Sequence, residues 1–191
     1  MGLTIPALRT DRLTLRRFTD QDGGELYRLH SDADTLKYWD SSPWVRPEQA
    51  ARFLERSQRA ADEERAVYLA VDLTEEARFL GWCTFSTWNP EFKTGELGYC
   101  FLPENWGQGY ATEASVAVLD WAYDTLDLNR VQSEVDTRNP ASARVLEKLG
   151  FTLEGTLREN CVVDGVTSDS WLYSILRREW EAQRRTALQG R

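Results

Sequence analysis

The part of this sequence best placed to do chemistry runs from Phe101 to Ala114, through Leu102-Pro103-Glu104-Asn105-Trp106-Gly107-Gln108-Gly109-Tyr110-Ala111-Thr112-Glu113. A strand-like apolar run ends at Phe101, a turn without side chains at Gly107 and Gly109 follows, and a helical pattern then begins. Such a turn leaves the first helical N–H groups without carbonyl partners and aims them, with the positive end of the helix dipole, at one place where a pyrophosphate can sit. On its own the stretch is also compatible with a plain strand-to-helix loop, because glycines at this spacing are common. Other chemistries have little to stand on. The single histidine, His30, reads as a surface or partly packed residue late in an early helix, which leaves neither a Ser-His-Asp nor a Cys-His arrangement. Cys83, Cys100 and Cys161 lie far apart with no CxxC spacing, so neither a disulfide framework nor a zinc site is indicated. They read as buried thiols, and no metal is expected.

The elements that must position this turn follow from periodicity. Arg12 to Arg16 alternates apolar and charged residues as a half-buried strand does. Thr19 or Asp20 can cap a helix to about His30, and Pro47 can open a second to about Glu64. Ala66 to Asp72, Phe79 to Trp88 and Thr94 to Phe101 read as a meander. A helix is expected from about Thr112 to Thr125, a strand from Val131 to Asp136, and a helix capped by Asn139, with Pro140 first and Gly150 ending it. Phe151 to Val163 and Thr167 to Leu176 form a last strand pair around Asp164-Gly165, a dipeptide suited to a tight hairpin turn. A short helix from Arg177 and a loose tail over about 185–191 complete the chain. This order implies a single α/β domain over 1–191, with one mixed sheet and helices on both faces.

Composition bounds the partners. The chain has 191 residues, 41% of them hydrophobic and with eight Trp, ample for one independent core. A net charge of −8 argues against nucleic-acid binding and favours a basic substrate. No leader-like segment and no window near the ~20 apolar residues of a membrane span is found, so a cytoplasmic protein with no membrane partner, monomer or homodimer, is expected.

The Phe101–Ala114 stretch resembles the acyl-CoA-binding motif Q/R-x-x-G-x-G/A of the GNAT superfamily, with Trp106 in the first position, Gly109 as the glycine and Ala111 as the final small residue. The run from Trp106 to Ala114 is similar to the local form of RimJ/RimL-type N-acetyltransferases, which acetylate ribosomal-protein N-termini. Asn139-Pro140-Ala141-Ser142-Ala143-Arg144-Val145-Leu146-Glu147-Lys148-Leu149-Gly150-Phe151 resembles the segment N-x-x-S-x-x-V-L-E-K-L-G-F. Arg9 to Arg16 looks like the T-x-R-L-x-L-R start, so the resemblance covers nearly the whole chain.

The resemblance implies a seven-stranded sheet whose fourth and fifth strands splay around acetyl-CoA, with the pantetheine arm added as a strand. Phe101, Leu102, Gly107, Gln108, Gly109, Tyr110, Ala111, Thr112, Asn139 and Ser142 are then expected to bind the cofactor. Transfer proceeds by direct attack of a neutral amine, without an acyl-enzyme. As general base Glu134 is the first choice and Glu96 the rival, although each also reads as an outward-facing strand carboxylate. An α-amine, with a reference pKa near 7.7 to 8.0, needs less help from a base than lysine at about 10.4. The tyrosine that many relatives use as acid is replaced by Leu146, which leaves Ser142. Asn139 is an N-cap and Ser142 a first-turn residue whatever the function, and both jobs can coexist. The segment from Lys37 to Trp44 lines the acceptor groove in relatives, so Trp39 and Trp44 are candidate acceptor contacts, with Trp88 and Asp169 on adjoining strands. The acceptor is expected to be the N-terminal α-amine of a protein, such as a ribosomal protein, or of a peptide. A small amine such as a polyamine or antibiotic is the alternative, and a non-catalytic acyl-CoA-binding module is a third.

Overall fold

The computed structural model describes residues 5–189, with side chains through residue 186. A two-residue strand β1 (Leu8–Arg9) precedes β2 (Leu13–Arg17), α1 (Gly23–Ser31), α2 (Glu48–Asp62), β3 (Ala66–Leu73), β4 (Arg78–Asn89) and β5 (Thr94–Phe101). Then come α3 (Tyr110–Thr125), β6 (Arg130–Asp136), α4 (Pro140–Lys148), β7 (Thr152–Val163), β8 (Val166–Leu176) and α5 (Arg177–Gln189). The strands form one sheet in the order β1-β2-β3-β4-β5-β6-β8-β7. Every neighbouring pair is antiparallel except β5 with β6.

The sheet therefore has eight strands where seven are expected. The extra one sets only Leu8 and Arg9 opposite Leu15 and Thr14, too short a run for any periodicity to reveal. Two other boundaries differ. A 3-10 turn over Asp20–Asp22, closed by a reciprocal capping box between Thr19 and Asp22, stands where the first helix is expected to begin. At the other end α5 runs to Gln189, so residues 185–189 are helical where a loose tail is expected. The Asp164-Gly165 hairpin turn forms with both residues at positive φ, 50° and 78°, as that turn requires.

Two hydrophobic layers sandwich the sheet. On one face α3 and α4 pack Val118, Leu119 and Leu146 onto Leu97, Phe85 and Val131, with Trp180 of α5 joining the same cluster. On the other, α1 and α2 pack Leu26, Leu29 and Phe53 onto Ala70, Trp82 and Cys100. Cys83 and Cys100 are buried and Cys161 partly so, and all three are free thiols.

His30 is fully buried, contrary to the surface or partly packed position expected for it. Its ring stacks on Trp44 at 4.2 Å, and its Nε2 accepts the indole N–H of Trp82 at 3.1 Å. Burial, with the charge of Arg56 nearby, pushes its pKa down to about 4. Single-helix periodicity misses this because the two indoles come from elements 14 and 52 residues further along the chain.

Candidate active site

The parallel pairing of β5 and β6 covers only Thr94, Gly95 and Glu96 opposite Arg130, Val131 and Gln132. Beyond that the two strands part. The Lys93 carbonyl accepts from Arg130 N at 3.2 Å, while Leu102 N donates the other way, to Leu80 O on β4, at 3.0 Å. Backbone groups alternate sides along a strand, so the Leu97 carbonyl, both backbone groups of Tyr99 and the Phe101 N–H turn into the gap, while the Phe101 carbonyl accepts from the Trp106 indole. An extended acyl carrier laid there would find the unpaired edge that strand addition needs.

At the mouth of this gap the chain makes its glycine turn. Gly107 and Gly109 have φ of 73° and 80°, a region that costs other residues energy, and nothing lies within 4 Å of where a Gly107 side chain would start. The first bond of α3 runs from Glu113 N to Gly109 O, so the amides of Gln108 to Thr112 have no protein partner among the described residues. The turn is nonetheless held firmly. Buried Asn105 donates to Leu80 O and accepts from Arg78, and the Trp106 indole donates to Phe101 O at 2.7 Å. Trp106, at the position where the GNAT pattern carries Gln or Arg, stays half exposed over the end of β5.

Arg12 pins the start of α3 from the β1–β2 turn. Its guanidinium bonds Glu113 at 2.6 Å, donates to Gln108 O at 3.1 Å and lies 4.6 Å above the Tyr110 ring. Burial works to raise the Glu113 pKa, but hydrogen bonds from Thr10 and Arg12 hold it below the usual carboxylate value. Arg12 remains nearly half exposed beside these amides, with its charge shared with Glu113. The sequence motif marks Arg12 only as part of a strand, since the contact spans 96 to 101 residues.

Across the gap, Asn139 caps α4 by accepting Ser142 N at 3.1 Å, which leaves its side-chain NH2 unspent. Ser142 Oγ lies 2.9 Å from the Tyr99 hydroxyl, which also reaches the Ser142 carbonyl at 3.1 Å. Burial raises the Tyr99 pKa, so the phenol stays protonated. Leu146 points into the core and is fully buried.

The two candidate carboxylates are brought together and differ in setting. Glu134 is exposed and accepts from Asn160 at 3.0 Å. Glu96 is partly buried, and that burial, followed by the nearby charges of Glu134 and Asp40, raises its pKa despite hydrogen bonds from Gln132 and Thr87. Of the acceptor-side candidates, Trp39 packs 5.3 Å from Trp82, and Trp44 covers His30 on the same side of the sheet. Trp88 does not join them. Thr87, at φ 52°, breaks the β4 register and turns Trp88 onto the α3 side, with its indole N–H buried and unpartnered. Asp169 spends one carboxylate oxygen on Glu159 N at 2.7 Å, bracing an irregularity in β7. A cavity of about 590 Å³ lies elsewhere, between α1, α2 and β3, and contains none of these residues. Among the described residues no group of three His, Cys, Asp or Glu side chains forms a metal site, and no helix is long and apolar enough to cross a membrane.

Comparison with known proteins identifies the fold and the family. The chain is 31% identical to the uncharacterised N-acetyltransferase YoaA of Bacillus subtilis, over 91% of this chain and 98% of that one. A GNAT-family acetyltransferase from Bacillus anthracis superposes with a TM-score of 0.81 at 26% identity, covering 91% of this chain and all of the other. The fold is also that of spermidine N-acetyltransferase from Vibrio cholerae, solved with CoA and spermine, at a TM-score of 0.79 and 22% identity over 90% and 99% of the two chains. Residues 12–152, which hold both the glycine turn and the α4 segment, match the acetyltransferase (GNAT) domain, and the chain belongs to that family.

Proposed function

We propose that this enzyme transfers the acetyl group of acetyl-CoA to a primary amine by direct attack, with the N-terminal α-amine of a protein or peptide as acceptor in the manner of RimJ/RimL-type enzymes. The observation that carries the reading is the early end of the β5–β6 pairing, which opens onto the free amides of Gln108 to Thr112. Those amides, with Arg12 beside them, would hold the pyrophosphate. Phe101 and Leu102 at the end of β5, and the free amide group of Asn139, would flank the pantetheine arm.

The N–H groups of Tyr99 and Phe101 face the gap, where they would donate to the thioester carbonyl as negative charge builds on it. Fixed donors of that kind are worth about 2.7–4 kcal/mol each where they have been measured. Glu96 takes the proton of the incoming amine. Its raised pKa brings it closer to an α-ammonium than an ordinary carboxylate would be, and it is partly buried where Glu134 lies open to water. Glu134 acts on Glu96 by its charge. Ser142 donates its hydroxyl hydrogen to the departing sulfur as general acid. No metal takes part. Trp39 and Trp44 wall the acceptor side, with Asp169 further out on its strand, while Trp88 packs on the other face of the sheet.

A small polycation is the second reading, favoured by Glu134 and Asp40 both standing within electrostatic reach of Glu96. Both acceptors suit the net charge of −8 and a cytoplasmic setting. Thiol release from acetyl-CoA, measured with peptides of varied N-terminus, spermidine and an amine-bearing antibiotic, separates them. Preference for peptides supports the first reading, preference for spermidine the second, and release with none of the three would count against catalysis on amines.

A further inference from the structure

Tyr99 belongs to β5, yet its hydroxyl meets the first turn of α4, 43 residues along the chain. Its phenol oxygen stands 2.9 Å from Ser142 Oγ and 3.1 Å from the Ser142 carbonyl. We propose that Tyr99 is a positioning residue that holds the Ser142 hydroxyl as a hydrogen-bond donor toward the leaving sulfur. The proposal rests on the role given to Ser142 above.

A phenol carries one hydrogen and here faces two acceptors, so two arrangements exist. In one, Tyr99 donates to the Ser142 carbonyl and accepts the serine hydrogen, which is then spent inside the protein. In the other, Tyr99 donates to Oγ, and the serine hydrogen is free to point into the gap. A thiolate forming in the gap favours the second arrangement, because hydrogen bonds to a charged acceptor are the stronger kind and a chain of two polarises both members. The switch needs only rotation of two hydroxyls. The heavy atoms are already fixed: Cys83 pairs with Tyr99 across β4 and β5, and Asn139 holds Ser142 N from the other side.

The proton balance is closed. The nitrogen–carbon bond forms and the carbon–sulfur bond breaks. The attacking nitrogen gives one proton to Glu96 and sulfur takes one from Ser142; Glu96 then releases its proton to water and Ser142 regains one from water, so both hydroxyls end the cycle as they began it. Tyr99 itself does not ionise, since burial favours its neutral form. α4 carries no tyrosine of its own, so the strand supplies from below the phenol that the helix lacks.

The test needs only coenzyme A, whose bound thiol can be titrated through thiolate absorbance in wild type, Ser142→Ala, Tyr99→Phe and the double variant. The phenylalanine keeps the ring and its packing. In wild type the bound thiol should ionise more readily than free coenzyme A, and Ser142→Ala should remove that advantage. Tyr99→Phe should raise the thiol pKa by about half a unit, close to a threefold change in its ionisation constant. In the Ser142→Ala background it should add nothing further, while calorimetric affinity for coenzyme A and the thermal midpoint stay near wild type. A wild-type titration in Tyr99→Phe, or an equal shift with and without Ser142, overturns the positioning role and leaves Ser142 untouched. No shift in Ser142→Ala instead removes the reading on which the proposal stands.

Discussion

The proposed donor and acceptor ends of the site are built from different material. The donor end is backbone: five consecutive amides, two glycines at positive φ, and a strand edge left open by a broken pairing. The acceptor end is side chains, with Asp40 and Trp39 from the loop after α1, Trp82 from β4, Glu96 from β5 and Glu134 from β6. A backbone site depends on local conformation and recognises a constant ligand group. A side-chain site depends on which distant elements meet, and it can be altered one residue at a time without touching the other end. Substitutions at one end should therefore leave the other's measurements alone.

The sharpest break should come at Gly109. A β-branched residue at φ 80° is strained by about 1–3 kcal/mol, although only Arg12 Nη2, at 3.6 Å, lies near the new side chain. Gly109→Val should weaken coenzyme A binding at least about tenfold in calorimetry. Acceptor KM, measured with the donor saturating, should hardly move. Next in size is Ser142→Ala, expected to lower kcat by about tenfold or more with little change in acetyl-CoA KM, as fits an interaction that matters mainly in the transition state. Its thermal midpoint must be followed too, because Ser142 sits in the capped first turn of α4.

The contrast in material also explains what the sequence makes legible. The glycine turn, the Asn139 cap and all the strands except β1 are local features, and each appears within a few residues of its expected bounds. Tyr99 against Ser142, Arg12 against Glu113, and His30 between two indoles depend on how the sheet orders its strands, which no local period reports. The two glutamates show the same limit. Both lie on strands that pair at β5 and β6, but only the structure shows that one is partly enclosed and the other open. Trp88 departs for a local reason that is still hard to read: a single residue, Thr87, takes φ 52° and changes the face that follows.

Two smaller effects sharpen the acceptor half. As the proposed base Glu96 must be ionised to accept a proton, so activity should fall as pH drops through its raised pKa, at a higher pH than for an ordinary carboxylate. Glu134→Gln removes a like charge and should move that acidic limb of the kcat/KM profile to lower pH, with coenzyme A affinity unchanged. A limb that stays put would separate the two carboxylates. Trp39→Ala should raise acceptor KM by about fivefold, near 1 kcal/mol, and spare the donor. Exhaustive chelation should change neither end, and a loss restored by one particular divalent ion would contradict the metal-free account.

The most direct test of the donor end follows single amides. Hydrogen exchange at Gln108, Gly109, Tyr110, Ala111 and Thr112 should slow by about tenfold or more when saturating coenzyme A is added, because these N–H groups gain their first partners. The exposed turn at Asp164 and Gly165 serves as an internal reference and should not change. Equal exchange with and without coenzyme A at all five positions would contradict the account.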